Sequence, residues 1–140
     1  MSNSNSKFIV QDPEVTHLAH HTKAQVTGRT WPQTIYLNDN LVKGCPVTVD
    51  IGWVWEMPKP DPGFPEHSHS HDEIVLHIGT DYQNPTDLGG EVEVKLEGQS
   101  FTLNKTNALY VPHGMKHGPF YCRSMSRPRI QVAITLGKYD

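Results

Sequence analysis

Two histidines set two residues apart, His67 and His69, demand more of the fold than anything else in the sequence. Glu73 follows with the same parity, and His117 comes far downstream, inside Pro112-His113-Gly114-Met115-Lys116-His117. Residues of equal parity project from one face of a strand, so His67, His69 and Glu73 can share a side. His117 must then arrive on a different strand, which requires a fold that pairs distant segments. Three imidazoles and a carboxylate make a mixed nitrogen and oxygen donor set suited to one divalent transition metal, with Fe, Mn, Ni, Zn and Co all open. Four protein ligands on an octahedral ion would leave two positions for water, substrate or dioxygen, as catalytic rather than structural ions do.

The remaining pattern predicts β-structure. A length of 140 residues is about one domain, and 11 Gly with 11 Pro favour turns over long helices. Thr34-Ile35-Tyr36-Leu37 reads as a strand closed by Asn38-Asp39-Asn40. Residues 46–55 alternate, with Val47, Val49, Ile51, Trp53 and Trp55 on one face. Pro58, Pro60, Pro62 and Pro65 predict a stiff connector leading to His67. A strand over 71–78 ends at Gly79, and 80–90 reads as a loop. Residues 91–96 alternate strictly, Glu97-Gly98 signals a hairpin turn, and 100–103 form its partner with Phe101 and Leu103 inward. Short strands over 107–111, 119–123 and 130–136 complete an antiparallel sandwich or barrel.

The expected organisation is an irregular N-terminal arm, 1–33, frayed at its start, and a single barrel, 34–140. Residues 14–26 read equally as a helix or a wrapping strand. His17, His20 and His21 there have helical spacing that could bind metal, though such a trio is more often a polar face.

A net charge of −3 argues against a nucleic-acid surface, and no apolar run is long enough for a membrane span or a signal peptide core. Arg123, Arg127 and Arg129 read as a solvated loop. Cys45 and Cys122 make no disulfide framework, so a reducing, cytoplasmic setting is the expectation.

The two histidine segments resemble the paired signatures of the cupin superfamily. His67, His69 and Glu73, followed by Gly79, match the first; Pro112, Gly114 and His117 match the second. The order is right and the resemblance spans about residues 34–136, close to a group of small bacterial cupins. Gly63 and the Glu73-to-Gly79 interval depart from the first signature's spacing, and Thr106 and Tyr121 stand where the second has glycine and asparagine. None of these is a ligand position. The resemblance implies an all-β double-stranded β-helix, or jelly roll, holding one metal at its centre, and a homodimer paired through edge strands.

Other residues have assignable roles. His77 shares the parity of Glu73 and is a candidate proton-transfer group inside the barrel, as is Tyr36; a hydrogen-bonded interior histidine is the competing reading of His77. Trp53, Trp55, Phe101, Tyr121 and Gln131 join Tyr36 as candidate walls of a pocket for a small organic molecule. His71 is either near the ligands or in solvent, and His113 reads as exposed. Three functions fit. The first is an enzyme using its metal as a Lewis acid, of lyase, decarboxylase or isomerase type. The second is an iron-dependent dioxygenase, and the third a non-catalytic binding protein for a small metabolite.

Overall fold

The computed structural model describes residues 4–17, 24–61 and 65–137. After a short 3₁₀ turn, Ser4–Phe8, the described chain is built of strands: β1 Glu14–Thr16, β2 Thr27–Arg29, β3 Gln33–Leu37, β4 Thr48–Lys59, β5 Glu73–Gly79, β6 Asp87–Leu96, β7 Gln99–Lys105, β8 Asn107–Val111, β9 Tyr121–Met125 and β10 Arg129–Thr135. A seven-stranded sheet runs β1-β3-β4-β10-β5-β8, with β2 also on β4, and a three-stranded sheet runs β7-β6-β9. All pairings are antiparallel. This is the jelly-roll barrel expected from the sequence.

Alternation builds the walls. In β5, Glu73, Val75 and His77 are buried, and the residues between them are less so. The sheets meet over Leu88, Val92 and Val94, against which Leu103, Leu109 and Phe120 pack. Full burial of Leu88, Val92 and Val94 contributes about 1.5–3 kcal/mol each. Gly79 marks a close approach: a Cβ there would overlap the carbonyl oxygen of Asp87. The glycine ending the first signature thus lets the end of β5 pass the start of β6, which begins inside the expected 80–90 loop.

Several expectations need correcting. The boundary at 33/34 falls within β3, and β1 and β2 from the expected arm pair with β3 and β4. The strand expected to end at Trp55 continues through Pro58. It can do so because β10 flanks β4 only as far as Val54, so the missing amide of Pro58 disrupts no central ladder. Arg129 is buried, not solvated, whereas Arg123 pairs with Glu93 at the surface. Phe101 is exposed. His20, His21 and Gly63 lie outside the described residues.

The largest reversal concerns β4. Thr48, Gly52 and Val54 are buried, while Trp53 and Trp55 are 47% and 50% exposed. The apolar parity therefore faces outward. Trp53, Ile130 and Ile78 form one row across β4, β10 and β5, and Ile51, Val132 and Leu76 form the next. Alternation gives the period of a strand, not which side faces in; here the inward side carries Thr48, Asp50, Gly52 and Val54, and Asp50 and Gly52 line a cavity.

Candidate metal centre

His67 and His69 stand on an extended segment before β5, not on a regular strand. It is held by reciprocal main-chain bonds to His117: His67 N–H to His117 O and His117 N–H to His67 O, both 2.9 Å. The Gly114 amide donates to His69 O at 2.9 Å. On its other side the 114–118 segment is tied to the end of β6, where Gly118 N–H meets Lys95 O at 2.9 Å and Glu97 N–H meets Lys116 O at 2.7 Å. Gly114 has φ +80°, a left-handed conformation that glycine adopts freely, which explains its place in the second signature.

This scaffold brings the three rings together. Centroids are 4.3 Å apart for His67 and His117, 4.7 Å for His67 and His69, and 5.1 Å for His69 and His117. One ring nitrogen from each lies within 4.8 Å of the others. Glu73, the expected fourth ligand, stands outside that trio and meets it at one corner, with Oε2 3.3 Å from His69 Nε2. His69, Glu73 and His117 are buried. Burial pushes the Glu73 carboxyl up to about 7, with Asp50 adding to the shift.

The donors fit a cation. His67 Nδ1 lies 2.7 Å from the Pro65 carbonyl and His117 Nδ1 3.0 Å from the Met115 carbonyl. A carbonyl only accepts, so both Nδ1 atoms carry the proton and each Nε2 keeps its lone pair. Outer hydrogen bonds of this kind fix ring orientation and tautomer at metal sites.

The centre opens into a cavity of about 60 Å³, lined also by Arg29, Gln33, Asp50, Phe120 and Gln131. Desolvation raises the Asp50 carboxyl to about 6, with Arg29 pulling it back. Desolvation lowers Arg29 to about 10. Of the expected pocket walls, Gln131 is in place. Tyr121 lines a smaller neighbouring cavity, and Trp53, Trp55 and Phe101 lie outside. Arg29, Gln33 and Asp50 were missed. Asp50, the one charge in an otherwise uncharged run from Pro46 to Trp55, was the available signal.

His77 is buried as its parity implied, but it faces the smaller cavity, beside Arg129 and Tyr121. Its Nδ1 lies 3.0 Å from Asn107 Oδ1, and burial pushes it down to about 4. Tyr36 is half-buried at a register irregularity between Ile35 and Leu37, away from the cavity. His71 packs against Gly137, and the imidazole of His113 is exposed beside Asp72.

A barrel of two antiparallel sheets, with clustered imidazoles on its inner wall, has the fold of the cupin barrels. No protein-family model matches this sequence, and no curated protein does. Solved structures do. A predicted oxalate decarboxylase from Thermotoga maritima is similar with a TM-score of 0.57 at 12% identity, over 95% of this chain and 96% of that one. A cupin-2 domain protein from Rhodospirillum rubrum gives 0.54 at 10%, over 92% and 71%. KdgF from Halomonas sp. gives 0.52 at 15%, over 89% and 96%. At these identities the likeness defines the fold. No helix among the described residues is long and apolar enough to cross a membrane.

Proposed function

We propose that this chain is a metal-dependent enzyme acting on a small organic molecule, with chemistry of the lyase, decarboxylase or isomerase type. The carrying observation is that the clustered donors open into a cavity with its own polar groups, instead of being closed off as at a structural ion. His67, His69, His117 and Glu73 would hold the ion. When bound, a divalent metal supplies Lewis-acid polarisation of a substrate oxygen. Asp50 is a carboxyl on the cavity wall outside that set, and a carboxyl near 6 exchanges protons readily at neutral pH. This moves the proton-transfer role from His77 and Tyr36 to Asp50. Phe120 gives the cavity an apolar wall. The decarboxylase description of the Thermotoga maritima protein falls within this reaction class.

The test is metal analysis of purified protein, followed by turnover assays with small carbonyl and carboxylate compounds in air and without it. About one ion per chain and oxygen-independent turnover are expected. Oxygen consumption tied to iron would replace this reading with the dioxygenase. Failure to retain or rebind metal would end both.

We also propose a homodimer, formed over the outer face of β4, β10, β5 and β8 instead of through strand edges. No charged side chain interrupts the rows there. Four strands about 4.8 Å apart and six residues at about 3.3 Å each span roughly 19 by 20 Å. That flat footprint is roughly 380 Å², and the relief of Trp53 and Tyr110, exposed at 47% and 59%, enlarges it toward the ~600–1,000 Å² that each partner gives to a specific pair. An uncharged face of this kind complements its own copy across a two-fold axis.

A further inference from the structure

Gln33 is 3% exposed on the cavity wall, and neither its Oε1 nor its Nε2 has a hydrogen-bond partner among the described residues. Buried amides are almost always paired, and an orphaned one is costly. A side chain kept in that state points to a partner that enters the cavity. The amide offers one acceptor and two donors, so its partner carries oxygen functions.

Arg29 lines the same cavity, and its guanidinium suits a carboxylate. With a divalent ion bound, the ion and Arg29 exceed Glu73 and Asp50 by one positive charge, and nearby Asp61 and Arg129 offset one another. A buried net charge is expensive unless neutralised, so a monoanion is favoured. The cavity is small, about 60 Å³, which suits a compact ligand.

We infer that the cavity takes a small hydroxy- or oxo-carboxylate, its carboxylate against Arg29 and its second oxygen against the Gln33 amide. This rests on the metal-dependent reading above and gives its substrate class.

Glycolate is the probe, with glycolamide as its neutral isostere. Metal content is measured first, then binding to the metal-loaded protein by calorimetry. Glycolate should bind at least about tenfold more tightly than glycolamide, since one charge-assisted hydrogen bond is lost. Arg29→Gln should abolish the preference with metal content unchanged; should that variant fail to fold, Arg29→Lys keeps the charge, loses the planar fork and must weaken glycolate. Gln33→Met should weaken glycolate and raise the melting temperature of metal-free protein by about 3 °C, because it removes the orphaned amide. A merely structural Gln33 would give a fall instead. Equal binding of the two probes, or a lowered melting temperature in Gln33→Met, overturns the inference. If no metal is retained, the metal-dependent reading fails, and the Gln33→Met melt on metal-free protein still decides this one.

Discussion

His67 and His117 exchange both main-chain hydrogen bonds at 2.9 Å, so the contact joining the two signatures is independent of either imidazole. Scaffold and ligand are therefore separable. His67→Ala should fold normally, with metal-free stability within about 1 kcal/mol of the parent, as for most surface-like changes. Metal affinity should fall by more than the roughly 10–100-fold that loss of an outer partner costs. Thermal melts and equilibrium dialysis measure the two effects; His69→Ala should behave likewise for metal.

The pH dependence of stability should carry a contribution from His77. Its folded pKa, near 4, lies below the ordinary 6.5, so the unfolded chain binds more protons between those values. Stability from this group is full above 6.5 and is lost as pH falls toward 4, by about 3 kcal/mol in all. Asp50 and Glu73, raised to about 6 and about 7, act in the opposite direction. The measurement is thus a difference: metal-free His77→Phe should lose less stability than the parent between pH 6.5 and 4.5.

Leu88 is 1% exposed where the two sheets meet. Leu88→Ala should cost about 2–5 kcal/mol in urea unfolding, the range for cavities left by buried leucines.

Gly79→Ala tests the close approach of β5 and β6. The added methyl meets backbone, not a side chain that can swing away, so a loss of about 1–3 kcal/mol is expected. A neutral result in thermal denaturation would show that the strands separate freely.

The outer sheet face predicts the oligomeric state. Val132 lies mid-row between Ile51 and Leu76. Val132→Lys should convert a sedimenting dimer to monomer at micromolar concentration while metal content stays constant.

How much of this could be read beforehand follows from the physics of each signal. The grouping of His67, His69 and His117 was legible because ligand chemistry restricts residue type. The strands were legible by alternation, which is local. The facing of β4 was not, since Val49, Ile51 and Trp53 look like a core whether they face inward or toward solvent. Arg29 and Gln33 were hidden for a different reason. They lie on β2 and at the start of β3, short strands placed by pairing with β4 and, for β3, β1, which leaves no periodic trace in Thr27-Gly28-Arg29.

The carbonyls of Pro65 and Met115 aim the rings of His67 and His117. A carbonyl belongs to every amino acid. Side chains at 65 and 115 can accordingly drift through many generations without rotating either ring, and a designer could recruit both positions to reshape the mouth of the barrel while the aim of those imidazoles holds.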